Sequence, residues 1–382
     1  MQVRDRAGFF ITQPSGYKSF VPKDLPPVPP VIFDAEMISL LSKADSKLGR
    51  LDGVTQTLPN PKLFVAMYVR KEAVLSSQIE GTQASLSDLL VVNENPDKGK
   101  ELIEIVNYVS AMDYGLKRLE EFPLSLRLLR EIHARLLKKG RGSERNPGEF
   151  RKSQNWIGPQ GCTLNTATFV PPTVPDMNEA LYKLEKYFYS EDDLPPLIKI
   201  ALIHAQFESI HPFLDGNGRM GRLLITFWLC HQEILSQPLL YLSYYFKKNR
   251  TEYYTLLMDV RKKGDWESWI KFFLKGIASV SDEATSSAKN ILNMKKEYEK
   301  TLSKYNNQNY FNLLELLFEK SVITKQTVSQ KLGISLPTAN KAIDVFCNEN
   351  ILVDIDPEKQ RYKRFAFSKY ISILNRGTEI ET

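Results

Sequence analysis

The sequence predicts a mainly α-helical fold with a small α+β unit near its C-terminal end. Apolar residues recur at helical intervals through most of residues 34–280. Residues 309–376 instead give a helix, a glycine-containing turn, a second helix and an alternating stretch typical of a two-stranded hairpin. With 382 residues, of which 42% are hydrophobic, the chain can bury a large core and form two or three domains.

The composition indicates a soluble protein, and we expect a cytoplasmic location. No window approaches the roughly 18 uninterrupted apolar residues of a membrane helix, and the first residues lack the apolar stretch of a signal peptide. The cysteines are odd in number, widely spaced and form no Cys-x-x-Cys pair, which argues against a disulfide framework and a zinc site; they are Cys162, Cys230 and Cys347. The net charge of +6 is mild, but residues 320–376 carry ten Lys/Arg against five Asp/Glu.

The first hundred residues are predicted to contain an extended arm and a helical region. Residues 1–33 end in a proline-rich run that cannot continue a helix or a central strand, so we expect an arm along the surface. Residues 34–100 show two helical patterns, and the second ends in the stretch Ser76-Ser77-Gln78-Ile79-Glu80-Gly81. Ser76 and Glu80 are four apart and share a helix face, so the hydroxyl can orient the carboxylate.

Residues 101–280 are predicted to form the core. Two amphipathic helices occupy its start, and two short β-prone runs around a Gly/Asn-rich turn between Pro147 and Pro172 predict a hairpin. A later apolar helix delivers His211 at its C-terminal end. His133 and His204 lie near apolar helix faces, where a packed structural histidine is the expected interpretation.

The stretch from His211 to Arg222 carries the chemistry. A Gly-Asn-Gly turn that opens a helix aims unpaired N–H groups and the positive end of the helix dipole at one point, which predicts a phosphate site. Arg219 and Arg222 share a face and offer planar forks for phosphate oxygens. Asp215 is a hard oxygen ligand of the kind Mg²⁺ takes beside substrate phosphates. His211 is the nearby group suited to removing a proton at pH 7. The complete stretch is His211-Pro212-Phe213-Leu214-Asp215-Gly216-Asn217-Gly218-Arg219-Met220-Gly221-Arg222.

The motif is followed by a buried helix and then by a separate C-terminal unit. Leu223–Ile234 is almost wholly apolar, and the polar residues 281–308 predict a long exposed connecting helix. The pattern of residues 309–376 is that of a winged helix, a module that binds DNA or docks proteins, and both functions stay open. The exposed candidates on its helix are Thr338, Asn340 and Lys341, and the basic residues of its wing are Lys359, Arg361, Lys363 and Arg364.

The string from His211 to Arg222 resembles the signature of the Fic/Doc family, and the organisation of residues 34–280 is similar to that family. The resemblance implies a Fic-type helical core with a β-hairpin flap, and transfer of AMP from ATP to hydroxyl side chains of target proteins. The cofactors implied are ATP as co-substrate and Mg²⁺ on Asp215, with His211 as the base. A homodimer is also expected.

The resemblance further assigns residues outside the base and the metal ligand. Ser76, Glu80 and Gly81 resemble the inhibitory motif of members whose inhibitory helix precedes the active site, with Glu80 competing for Arg222. The nucleotide-binding residues implied are Glu80, Asp215, Gly216, Asn217, Gly218, Arg219, Gly221 and Arg222. The flap candidates are Ile157 and Gly158, and the candidates for the adenine pocket are Tyr253 and Tyr254.

Alternative functions remain open on the sequence. The same motif in related folds can move another phosphate-containing group or remove AMP. The chain can also be a winged-helix regulator whose nucleotide-binding domain is only a sensor, although the presence of His211 and Asp215 favours an enzyme. A third alternative is an enzyme whose relevant target is itself.

Overall fold

The computed structural model of the protein describes residues 5–58, 61–86 and 100–376, and these are mainly helical, as predicted. The helices are α1 (Ala35–Gln56), α2 (Pro61–Ile79), α3 (Lys100–Leu119), α4 (Leu126–Leu136), α5 (Val174–Phe188), α6 (Pro196–Ile210), α7 (Asn217–His231), α8 (Ser243–Lys248), α9 (Arg250–Lys263), α10 (Trp266–Ser303), α11 (Gln308–Glu319), α12 (Lys325–Leu332), α13 (Leu336–Asn348) and α14 (Ser368–Asn375). The strands are β1 (Gly8–Thr12), β2 (Lys18–Pro22), β3 (Val322–Thr324), β4 (Val353–Asp354) and β5 (Arg364–Ala366).

The core is built around α6 and α7. Every residue of α6 from Leu197 to Ile210 is buried, because the helix is apolar on nearly all sides and other helices cover it. Helix α7 begins at Asn217 and packs against α2, α3, α4 and α6. The turn between these two helices therefore lies in the middle of the helical assembly. None of the described helices has an apolar run long enough to cross a membrane.

Two regions differ from the predictions made from sequence. Residues 281–303, expected in an exposed connecting helix, are the second half of α10, and one of its faces is buried at Ala284, Ala288 and Ile291. Helix α10 runs along α1, and the ion pair between Lys47 and Asp282, 2.6 Å long, continues this contact past residue 281. The sequence did not indicate this buried face, because Ser, Ala and Thr fill many of its positions.

The predicted extended arm contains a hairpin. Strands β1 and β2 pair antiparallel, and the proline-rich run after Pro22 contains no helix or strand. The Phe20 N–H donates to the Val170 carbonyl at 2.9 Å, so the hairpin lies beside the segment predicted as the flap. Arg6 pairs with Glu267 at 2.8 Å and fastens the arm to the start of α10. Residues 87–99, which close the predicted N-terminal region, lie outside the described residues.

Residues 308–375 contain four helices and a three-stranded sheet. Gly333, with φ of 64°, makes the turn between α12 and α13, and β3, β5 and β4 form an antiparallel sheet in that order. The order of elements is the one that the sequence predicted, and the winged-helix assignment stays a prediction. Helix α14 then packs back against α10 and α2, so the unit touches the helix that carries the predicted inhibitory motif.

Candidate active site around His211 and Arg222

The turn between α6 and α7 holds His211 in a conformation that few residues adopt. His211 is the C-cap of α6 with φ of 50° and ψ of 61°, in the left-handed region that costs a non-glycine residue about 1 kcal/mol or more. The surrounding structure fixes it, because Arg151 Nε and Asn155 Nδ2 both donate to the His211 carbonyl, at 3.1 and 3.2 Å. The backbone thus fixes the direction of the imidazole before any substrate arrives.

The Asn217 side chain braces the same turn. Its Oδ1 accepts from the Phe213 N–H and its Nδ2 donates to the Phe213 carbonyl, both at 2.8 Å. Gly216, with φ of 77°, is the N-cap that lets α7 begin immediately afterwards. The first-turn N–H groups of α7, rather than the occupied Asn217 amide, are the donors available to an anion.

Two buried histidines are structural, as expected. His133 Nδ1 accepts from the Gly148 N–H at 2.9 Å, so its Nε2 carries the proton and donates to the Asp215 carbonyl at 3.0 Å. Burial lowers the pKa of His133 to about 4, so the ring is neutral at pH 7. His204 lies 3.0 Å from the Gly221 carbonyl and 2.9 Å from the Tyr253 hydroxyl, which fixes α6 against α7 and α9.

His211 differs from these two histidines because its ring has a nitrogen without a partner. Burial, reinforced by Arg261 and Arg151, lowers the pKa of His211 to about 3. The imidazole is therefore neutral at pH 7, the form in which a base acts. Its Nδ1 makes no hydrogen bond within the described part of the chain, in contrast to the satisfied rings of His133 and His204.

Arg222 meets the predicted inhibitory motif. Its Nη2 donates to Glu80 Oε1 at 2.8 Å and to the Ser76 carbonyl at 2.9 Å, and its Nε donates to Ser76 Oγ at 2.8 Å. The sequence predicted that the Ser76 hydroxyl orients the Glu80 carboxylate. The structure corrects this prediction, because Ser76 Oγ binds Arg222 instead. Gly218 admits the carboxylate, since a Cβ at this position would overlap Glu80 Oε1.

The charge of Glu80 is stabilised in this position. Burial alone would raise the pKa of Glu80, but Arg222, Arg219 and Arg141 together outweigh burial and lower it. Gly81, with φ of 96°, turns the chain directly after Glu80 and ends the helical path. An ionised carboxylate is thus held against Arg222, where a nucleotide phosphate would also be attracted.

Arg219 has partners that were not anticipated from sequence. Its side chain is only 1% exposed; Nη1 donates to Glu104 Oε2 at 3.2 Å and Nη2 lies 3.5 Å from Asp215 Oδ1. The sequence analysis did not identify Glu104 as a site residue. Glu104 lies on the buried face of α3, four residues before Tyr108. An acidic residue at a buried position was the feature that could have identified it. In this conformation Arg219 steadies Asp215 and does not face solvent.

Asp215 fits a role in holding Mg²⁺. Its Oδ1 accepts from the Gly216 N–H at 2.5 Å and its side chain is 31% exposed, so the carboxylate reaches the open side of the site. The described residues contain no cluster of three His, Cys, Asp or Glu that could enclose a metal ion. A single carboxylate suits Mg²⁺, which keeps most of its ligands as water and substrate phosphates.

Comparison with known proteins supports the resemblance stated above. Residues 38–117 match the description "Fic/DOC family N-terminal", and residues 123–229 match "Fic/DOC family". The chain carries both domains of the Fic/DOC family. It is 29% identical to the protein adenylyltransferases Fic of Drosophila grimshawi and Drosophila virilis over 203 residues, which is 51% of this chain and 38% of each of those proteins. The chain thus spans well under half the length of these relatives.

The fold is similar to that of a solved Fic protein. The crystal structure of a Fic family protein from Desulfovibrio desulfuricans G20 has a TM-score of 0.55 and 17% identity, and the match covers 88% of this chain and 97% of that chain. Because the identity is low, this likeness establishes the fold alone.

The Fic flap is a short hairpin joined to the His211 turn. Ile157 and Phe169 exchange both backbone hydrogen bonds, at 2.8 and 3.0 Å, and form an isolated antiparallel bridge. Ile157 is half-buried and Gly158 is exposed. Arg151 lies six residues before this bridge, and its N–H donates to the Pro212 carbonyl at 2.9 Å, so the flap and the Fic motif are fastened together.

The two candidate adenine-pocket residues have different environments. Tyr253 is 1% exposed and its hydroxyl is bound to His204, so it packs in the core behind the motif. Tyr254, the next residue of α9, is 41% exposed, and burial together with Glu80 raises its pKa. Of the two tyrosines, Tyr254 is the one placed to meet a ligand.

Proposed function

We propose that this Fic protein transfers AMP from ATP to hydroxyl side chains of target proteins and of itself. The observation that carries the proposal is His211, a neutral imidazole with an unpaired nitrogen, held in the turn that contains Asp215 and leads into α7. A base, an anion-binding helix end and a metal ligand within twelve residues are the parts that nucleotidyl transfer needs. The adenylyltransferase names of the relatives support the same activity.

The residues act as follows in this proposal. The phosphates of ATP lie over the first turn of α7, and Arg222 and Arg219 balance their charge. Asp215 would hold Mg²⁺, which neutralises charge on the phosphates. The target hydroxyl oxygen attacks the α-phosphorus, its proton passes to the His211 imidazole, and the bond from the α-phosphorus to the bridging oxygen breaks to release pyrophosphate. Tyr254, Ile157 and Gly158 remain the proposed contacts for adenine and target.

Glu80 is proposed as the internal inhibitor. Its carboxylate occupies Arg222, which the γ-phosphate of ATP needs for a productive position. ATP can then bind with its α-phosphate turned away from the line of attack, so that positioning is lost more than affinity. Ser76 supports this closed state by holding the other side of the Arg222 guanidinium.

Substitution of His211 by alanine tests the activity. In the wild-type chain and in Glu80→Gly, His211→Ala should lower transfer of labelled AMP to below about a hundredth, since such bases contribute 10²–10⁴-fold. ATP affinity should change little, because no phosphate donor is removed. His231→Ala, the same change at the far end of α7, is the matched control. Mass spectrometry of the products identifies the group transferred, and transfer that survives His211→Ala would refute the assignment.

The winged helix suggests DNA binding as a second function. Residues 320–343 carry four lysines and no acidic residue. Lys325, Asn340 and Arg361 line one groove between the helices and the wing. The wing itself is less basic than its sequence suggests, because Lys359 and Arg364 pair with Asp356 at 2.9 and 2.7 Å and Lys363 pairs with Asp354 at 2.7 Å.

Salt dependence distinguishes DNA binding from protein docking by this unit. Binding to duplex DNA should fall steeply between low and physiological salt, because lysines must displace counterions from phosphates. Lys341→Ala should reduce the slope by about one charge, whereas Lys300→Ala in α10 should not. Absence of binding at low salt would favour docking of a protein. The expected homodimer and cytoplasmic location stay predictions, to be checked by light scattering and cell fractionation.

A further inference from the structure

A third arginine lies at the rim of the site. Arg141, in the Gly140-Arg141-Gly142 loop after α4, donates through Nη1 to the main-chain carbonyl of Glu80 at 3.3 Å, and its Nε lies 3.6 Å from Glu104 Oε1. The side chain is 49% exposed, whereas those of Arg219 and Arg222 are 1% and 2% exposed. Arg141 can therefore change partners without moving a charge out of the protein interior.

The backbone of this loop is held beside the Fic motif. Gly142 has φ of 83°, and a Cβ on it would stand 2.8 Å from Asp215 Oδ2, so only glycine allows the loop to approach this carboxylate so closely. Arg141 is thus presented next to the residue proposed to hold Mg²⁺. A guanidinium in this place would be within the attraction of the phosphates of a bound nucleotide.

Glu104 connects this loop to the rest of the site. Its Oε1 faces Arg141, and its Oε2 accepts from Arg219 at 3.2 Å and from Thr82 Oγ1 at 3.2 Å. Thr82 lies two residues after Glu80. One buried carboxylate therefore joins the rim arginine, a motif arginine and the segment that carries the inhibitor.

We propose that Arg141 alternates between two partners. In the closed state it holds the end of the inhibitory segment through the Glu80 carbonyl. When the Glu80 carboxylate leaves Arg222, that carbonyl moves away with it, and Arg141 binds the phosphate chain of the nucleotide. This role rests on the proposed AMP transfer, and it makes Arg141 an inhibitory latch before opening and a phosphate ligand after it.

A residue with these two roles has different effects in the closed and the opened protein, which a purely structural residue would not. In the wild-type chain, Arg141→Ala removes one hydrogen bond from the closed state, so the inhibitory segment should open about two- to tenfold more often. Basal transfer should not rise, because the opened site has lost a phosphate ligand. In the Glu80→Gly background the latch is already irrelevant, and the same change should weaken ATP binding and lower transfer by about tenfold or more, since hydrogen bonds to charged groups are the stronger ones.

The matched control is Arg145→Ala. Arg145 lies in the same loop, is 59% exposed and faces Glu144 at 3.6 Å, so its removal changes the net charge equally without touching the site. Calorimetry of ATP binding to Glu80→Gly with and without Arg141→Ala measures the phosphate role. Amide hydrogen exchange of residues 76–86 in the wild-type background measures the latch, and thermal melts confirm that each variant is folded.

Both of these readouts are independent of AMP transfer, so failure of the enzymatic proposal can be distinguished from failure of this one. Faster exchange over residues 76–86 together with a roughly tenfold loss of ATP affinity supports the two roles even if no transfer is detected. Unchanged ATP affinity in the Glu80→Gly background overturns the phosphate role, and unchanged exchange overturns the latch. Equal effects of Arg145→Ala would also overturn the proposal, because the cause would then be net charge.

Discussion

Replacing Glu80 by glycine should activate the protein. The change removes a carboxylate that accepts a hydrogen bond of 2.8 Å from Arg222. The carboxylate is 30% exposed and the Arg222 side chain is 2% exposed. Two charges at contact interact by roughly 4 kcal/mol at an effective dielectric of about 20, and a net value of about 1.5–3 kcal/mol is usual for hydrogen bonds to charged groups. The lower value corresponds to about tenfold in rate.

We therefore expect Glu80→Gly to increase AMP transfer at least tenfold, with a smaller change in ATP affinity. Glu80→Gln, which keeps the size and removes the charge, should give an intermediate increase. Arg222→Ala in the Glu80→Gly chain should cancel the gain, because the anchor of the γ-phosphate is lost with it.

Labelled ATP and a lysate of target proteins supply the assay, with ATP affinity measured in parallel. An unchanged rate in Glu80→Gly would refute the reasoning and leave Ser76–Gly81 as an ordinary helix end. A gain that survives Arg222→Ala would show that Glu80 acts on something other than this arginine. Melting curves of all three variants are required, since Arg222 also holds Ser76 in the closed state.

Two further predictions concern stability. Burial raises the pKa of Glu72, which is bound by Tyr108 and Ser243, to about 7. The native state therefore binds the extra proton between pH 4.5 and 7, and this group costs stability as pH rises, by about 3 kcal/mol above pH 7. Glu72→Gln should melt progressively higher than wild type from pH 5 to pH 8, and a constant difference would contradict this. A chain ending at Ser303 should melt cooperatively but at a lower temperature, and it should transfer AMP faster, because α2 loses its contact with α14. A non-cooperative melt would show that residues 304–376 are part of the core fold.

The sequence by itself determined the chemistry of the local motif. His211, Asp215 and Arg222 lie within twelve residues, so helix and turn geometry alone brings them together. The helical core, the flap and the helix-turn-helix with its wing follow from apolar periodicity and from glycine and proline positions, because each depends on residues close along the chain. For the same reason both structural histidines could be assigned from the apolar face on which they lie.

Apart from the Glu80–Arg222 pair, which the family resemblance implied, only the tertiary structure decided which partners these residues have across the chain. Ser76 and Glu80 reach Arg222 from 146 and 142 residues away, and Glu104 reaches Arg219 from 115 residues away. No local pattern encodes such distances, because they depend on how α2, α3 and α7 pack. Burial also sets the charge states of these residues. An imidazole titrates near neutrality in water, but at His211 burial lowers its pKa and keeps the ring neutral. Arg261 and Arg151, which lie far from His211 in sequence, lower this pKa further.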